Sequence, residues 1–135
     1  AGVAEVSVDK TSGKITVHDF WIAADPGLIV HPDSSHAQLE SGVVYGISAV
    51  LKEKLTIANG SVQESNFHDY EVLRMEDVPE IHTKMVETDN PPTGMGEVGI
   101  PSAAAAIGNA VFAATGTRLR HLPMSPDNVK AAMKG

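Results

Sequence analysis

The sequence predicts an α+β domain: mixed, largely antiparallel strands with two main helices packed against the sheet. Three observations lead there. Val6 and Val8 alternate with Ser7 and Asp9, and a second extended run opens at Ile15 and Val17 and stays largely apolar to Ala24; period-two alternation is strand patterning. From Asp33 to Lys54 the apolar residues Val43, Val44, Ile47, Val50 and Leu51 recur as one helical stripe. A second, alanine-rich helix is predicted from Pro101, through Ile107 and Val111, to a stop at Gly116, because proline favours the first helical position and glycine the position past the last. At 135 residues, 42% hydrophobic and 20% charged, the chain has the length of one domain and ordinary globular composition. It contains neither the ~20 consecutive apolar residues of a membrane span nor a signal-peptide pattern.

The elements follow in order. The two opening strands form a hairpin through Lys10–Lys14, where Ser12-Gly13 carries turn chemistry. Asp25-Pro26-Gly27 breaks the second strand, and Val30–Pro32 is held extended because the residue before a proline avoids the helical region. The first helix follows, with Ser35 and Gln38 at capping-box spacing. Leu55–Ile57, Asn59-Gly60 and Val62 form a tight hairpin with a two-residue turn. Asn66–Val72 is extended or irregular, and Glu80–Thr88 is a strand with Ile81, Thr83 and Met85 on one side. Asn90-Pro91-Pro92-Thr93 breaks the chain before the second helix, and Asp127–Lys134 is a short terminal helix reached through Ser125-Pro126.

Cysteine is absent, which excludes disulfides, thiolate metal sites and a cysteine nucleophile within this chain. Ten basic against 17 acidic residues give a formal net charge of −7. The densest basic stretch is Arg118, Arg120 and His121, too few clustered cations for a phosphate backbone, so no nucleic-acid partner is expected. The six histidines lack metal-ligand spacing, and no nucleophile elbow supports a catalytic triad.

Two features invite a functional reading. Gln38, Gly42 and Gly46 are four apart and form one stripe on the first helix, opposite Val43, Ile47 and Val50. Bare glycines there permit close approach by a ligand or by another stretch of backbone, with Gln38 then only a capping residue; both readings stand. Gly94–Gly99 satisfies G-x-G-x-x-G, yet Pro91-Pro92 precedes it and no acid lies between Glu97 and Asp127, so it is not a dinucleotide fingerprint. Glu97 is instead a carboxylate flanked by glycines just before a helix, suited either to a general base or to favourable charge at a helix start.

Taken in order, the motifs resemble a known family. They are Asp25-Pro26-Gly27 to His31-Pro32, Gln38-Leu39-Glu40-Ser41-Gly42 with Gly46, Asn66-Phe67-His68-Asp69-Tyr70, Asp77-Val78-Pro79, Gly94-Met95-Gly96-Glu97, and Ala113-Ala114-Thr115-Gly116 to Pro123. This collinear set is similar to the carboxy-terminal part of the molybdopterin-binding large subunit of xanthine oxidase family enzymes, in the bacterial isoquinoline 1-oxidoreductase and aldehyde dehydrogenase branch. The resemblance implies that residues 1–135 are a single domain of the carboxy-terminal molybdenum-cofactor-binding type, a fragment of a larger subunit and inactive alone. It implies hydroxylation of aldehydes or N-heterocycles with water-derived oxygen, Glu97 as general base, and Gln38, Gly42, Gly94, Met95 and Gly96 as cofactor-binding residues, with no direct metal ligand. The cofactor would be molybdopterin in its cytosine dinucleotide form. The partners would be the rest of the large subunit and a subunit carrying iron–sulfur clusters. Val98-Gly99 after the glutamate departs from the Pro-Pro of many members and leaves the substrate open. The compartment, cytoplasmic or periplasmic, would depend on a signal upstream of Ala1. A non-catalytic cofactor-delivery or subunit-docking module is the alternative, and a stand-alone small-ligand binder a third.

Overall fold

The computed structural model describes residues 1–134. Strand β1 (Gly2–Val8) pairs antiparallel with β2 (Ile15–Ala24). Asp9 shapes the turn between them by accepting the N–H groups of Thr11 and Ser12 at 2.7 and 3.0 Å. The register shifts between Glu5 and Val6, which pair with Asp19 and Val17, so His18 is the extra residue of a bulge. That bulge keeps both Val17 and Phe20 on the buried face.

Helix α1 (Pro32–Leu51) begins one residue earlier than the pattern predicts and is capped by His31, whose Nδ1 accepts the N–H of Ser34 at 3.2 Å. The expected Ser35–Gln38 capping box does not form. With Pro32 in the first turn, Ser35 already lies inside the helix and donates to the His31 carbonyl at 3.0 Å. Gln38 is thereby free for other work. The short strands β3 (Ile57–Ala58) and β4 (Ser61–Val62) form the expected hairpin, with Asn59 and Gly60 at φ 51 and 76.

Strand β5 (Glu80–Met85) ends three residues before its predicted limit and pairs parallel with β2, from Asp19↔Glu80 to Ala24↔Met85. The main sheet therefore has the order β1-β2-β5 with one antiparallel and one parallel neighbour. Helix α2 (Ile100–Thr115) stops at Gly116, at φ 75, whose N–H donates to the Phe112 carbonyl at 2.8 Å. Helix α3 (Pro126–Lys134) closes the described chain.

Both long helices cover one face of the sheet, α2 against β1 and α1 against β5 and α2. Phe20, Leu39, Val43, Ile47, Ile107, Val111 and Val129 are fully buried there. Each such side chain contributes roughly 1.5–3 kcal/mol, which fixes how α1 and α2 lie on the sheet. Among the described residues, no helix is long and apolar enough to cross a membrane.

Residues 63–78 are fastened to the end of α1. Ser48 Oγ accepts the N–H of Leu73 at 3.0 Å, and Tyr70 donates its hydroxyl to Glu53 at 2.6 Å. Within that stretch, Asp69 accepts the Ser65 N–H at 3.0 and 2.9 Å, the Ser65 hydroxyl at 3.1 Å and the Asn66 N–H at 2.9 Å. Backbone donors from Asn66 and Ser65 hold the charged form and pull the carboxyl from its ordinary 3.8 to about 2. A depressed carboxyl stabilises the loop fully above its unfolded value, and the contribution is lost as pH falls through the folded one. The protection of the Ser65 and Asn66 amides, relative to their intrinsic exchange rate at each pH, is therefore expected to hold from neutrality to about pH 4 and to fall between there and about pH 2. An NMR titration placing the Asp69 carboxyl at its ordinary value would contradict this.

Candidate functional site

The first half of the site is a face of α1. Gln38, Gly42 and Gly46 do lie on one stripe, but the glycines are not bare to a ligand: the chain itself covers them. A Cβ at Gly42 would stand 3.1 Å from the Cα of Gly99, and one at Gly46 would stand 2.8 Å from both the Ile100 carbonyl and the Ala103 Cβ. Gly99 completes the fit, since a Cβ there would lie 2.7 Å from the Leu39 carbonyl oxygen and 2.7 Å from the Val43 nitrogen. Three glycines thus let the start of α2 lie directly on the backbone of α1. The sequence pattern marks Gly42 and Gly46 but not Gly99, which reads as part of a turn.

The second half is the link between β5 and α2. Gly94 and Gly96 are exposed and have open space where a side chain would stand, whereas Met95 is half-buried and packs against the core. Glu97 is exposed, and its carbonyl accepts the Ile100 N–H at 3.1 Å. Its carboxylate joins no hydrogen bond or ion pair among the described residues. The backbone N–H groups of residues 95–98 likewise have no acceptor among those residues.

One hydrogen bond unites the halves. Gln38 Nε2 donates to the Gly96 carbonyl at 2.8 Å across 58 positions of sequence. The amide is thereby oriented, and Oε1 is left to accept from something else. Gln38, Gly94, Met95, Gly96 and Glu97 are therefore brought to one place, with Gly42 beneath them under Gly99.

The histidines lie elsewhere. His31 caps α1, His36 shares a 2.7 Å hydrogen bond with Thr83, and His18 shares one of 2.8 Å with Ser7. His82 pairs with Asp19 at 2.7 Å and stacks on Trp21, with 5.2 Å between ring centroids. With Glu80 these two groups place three ligating atoms within 4.8 Å of one another. They sit on the sheet face opposite α1, because their neighbours Phe20 and Ile81 point into the core. Sequence spacing could not reveal a pair 63 residues apart.

The sequence profile of the molybdopterin cofactor-binding domain family matches residues 1–79. The chain belongs to this family. The isoquinoline 1-oxidoreductase subunit beta of Brevundimonas diminuta is 43% identical over 124 residues, covering 92% of this chain and 16% of that protein. A membrane-bound aldehyde dehydrogenase of Gluconacetobacter polyoxogenes, whose name carries pyrroloquinoline-quinone, is 40% identical over 94% of this chain and 16% of its own length. Among solved structures, quinoline 2-oxidoreductase from Pseudomonas putida 86 superposes with a TM-score of 0.87 at 26% identity, over 96% of this chain and 18% of that one. The chain thus spans about one sixth of the length of the curated relatives it matches.

The site's donor set suits the group that names this molybdopterin-binding family. A pterin presents ring N–H groups, ring nitrogens and a carbonyl, and is met by a side-chain amide able both to donate and to accept. An oriented Gln38 with a free Oε1, unengaged N–H groups at residues 95–98, and glycines that leave room for close approach supply such partners.

Proposed function

We propose that this chain is the carboxy-terminal, base-bearing part of a molybdenum hydroxylase that acts on aldehydes or N-heterocycles. The observation carrying the reading is the Gln38–Gly96 hydrogen bond, which joins a pterin-recognising amide to the loop that presents Glu97. Gln38, through Oε1, and the backbone of Gly94, Met95 and Gly96 would hold the cofactor, in its cytosine dinucleotide form. Gly42 acts from beneath, by receiving Gly99 and so fixing where the loop enters α2.

When bound, the molybdenum cofactor supplies two-electron oxidising chemistry with oxygen drawn from water. The chain's own part is proton handling and placement. Glu97 accepts, at a carboxylate oxygen, the proton of the oxygen nucleophile as it attacks an electrophilic carbon. The carboxylate is suited to this because no cation or donor of the described chain competes for it. The flanking glycines leave space on either side for substrate and cofactor. The rest of the large subunit completes the pocket, and a subunit with iron–sulfur clusters receives the electrons.

Elemental analysis of the natively purified assembly tests the reading. About one molybdenum per subunit, with a cytosine-containing pterin released on denaturation, is the expected result. Gln38→Ala should lower both contents several-fold while the subunit still folds. No molybdenum, from cells that load other molybdoenzymes, would favour the cofactor-delivery or docking module. Pyrroloquinoline quinone in its place would move the site to different chemistry.

A further inference from the structure

The loop that carries Glu97 is tied at its downstream end by Gln38 and by the packing of Gly99 on α1. Its upstream end is held by a different device, built on Asp25-Pro26-Gly27. Asp25 Oδ1 accepts the Gly27 N–H at 3.0 Å and the Thr88 hydroxyl at 2.9 Å. The turn so formed puts Gly27 at φ 77, in the left-handed region, and seats it so closely that a Cβ would stand 2.3 Å from the Pro91 carbonyl oxygen. On either side of that contact, Leu28 donates its N–H to the Asn90 carbonyl at 3.0 Å, and the Pro26 carbonyl accepts both the N–H and the hydroxyl of Thr93, at 2.8 and 3.1 Å. Pro26 and Gly27 are buried although Asp25 is exposed. Thr93 is four residues from Glu97, and between them a side chain at Gly94 or Gly96 would meet open space, so that the intervening stretch is held only by the packing of Met95 and by the bond from Gln38 to the Gly96 carbonyl.

We infer that Asp25 is a positioning residue for Glu97: its carboxylate sets the turn on which residues 88–93 are fastened, and that fastening is the fixed upstream end of the Glu97 loop. This rests on the assignment of Glu97 as the base. Asp25 shapes Gly27, Gly27 and Pro26 hold Pro91 and Thr93, and Thr93 fixes where a short glycine-flanked segment begins. A displacement of about 1 Å in a reacting group far from the altered residue can lower a rate roughly 100-fold, and a segment held at one end only is free to make such a displacement.

The test compares Asp25→Ala, which removes the acceptor, with Asp25→Asn, which keeps Oδ1, in the complete cofactor-loaded protein. For Asp25→Ala, kcat is expected to fall roughly 10- to 100-fold with KM little changed. Amide exchange at Leu28 and Thr93 should quicken while exchange in α1 stays as it was, and the molybdenum content should hold. Asp25→Asn should restore both the slow exchange and the rate. Should Asp25→Ala not fold, Thr88→Val removes one of the two hydrogen bonds that Asp25 accepts, and the same pattern is expected at smaller size. Faster exchange at Thr93 with an unchanged kcat would overturn the proposal, as would unchanged exchange. Glu97→Gln assayed alongside separates the two ideas: if it abolishes turnover while Asp25→Ala does not, the base assignment stands and the positioning role falls.

Discussion

Replacing Glu97 by Gln in the complete subunit should lower turnover by roughly 10²- to 10⁴-fold, the range that a positioned general base supplies, while molybdenum content is unchanged. The two side chains have the same shape, and the amide cannot take up the proton of the attacking oxygen. The exchange is clean here for a structural reason. Glu97 is exposed, and its carboxylate supports nothing in the described chain, whereas the loop is held by its backbone, through the carbonyls of Gly96 and Glu97. Loss of rate thus reports on chemistry and not on folding. A variant with near-normal kcat would return Glu97 to the part of an ordinary carboxylate ahead of a helix.

Gly99→Ala is expected to give a large change in stability, near the upper end of the roughly 1–3 kcal/mol that overpacking removes. Its Cβ would meet the Leu39 carbonyl oxygen and the Val43 nitrogen at 2.7 Å and the Gly42 carbonyl carbon at 2.8 Å. All three belong to the backbone of α1, so no side chain can rotate aside and the helices themselves must part. Denaturant unfolding should show a lowered midpoint with the slope unchanged. Because Gly42 and Gln38 lie on the same face of α1, the displacement should also lengthen the Gln38–Gly96 hydrogen bond. An unaltered midpoint would mean that the two helices are not in the close contact described.

What the sequence made legible was local. The stripe Val43, Ile47 and Val50 marks α1, Gly116 marks the end of α2, and Asn59-Gly60 marks the small hairpin, because each depends on residues within a turn or two of one another. The candidate residues Gln38 and Glu97 are nameable only through the resemblance to a family, whereas the α1 stripe is visible as geometry. Its occupant was not visible. Nothing near Gly42 says that Gly99 will lie on it, and the capping-box spacing of Ser35 and Gln38 described an interaction that His31 performs instead. The parallel pairing of β2 with β5 was missed for the same reason: a strand's pattern reveals its buried side but not its distant neighbour.

That parallel pairing has a consequence for the order of events in folding. β2 and β5 meet only after the whole of α1 and the small hairpin have been made between them, since Asp19 finds Glu80. The hydrogen bonds that build the site are as remote, with 58 positions between Gln38 and Gly96, 63 between Asp25 and Thr88, and 67 between Pro26 and Thr93. Closing loops of that length must precede any reward from the contacts they bring. The nascent chain can therefore possess α1 and the β1–β2 hairpin while the candidate site is still absent. The candidate site needs both β5 at the sheet edge and the start of α2 on α1, so cofactor capture is expected only after both have docked, and a ligand that binds only the assembled site draws that equilibrium forward.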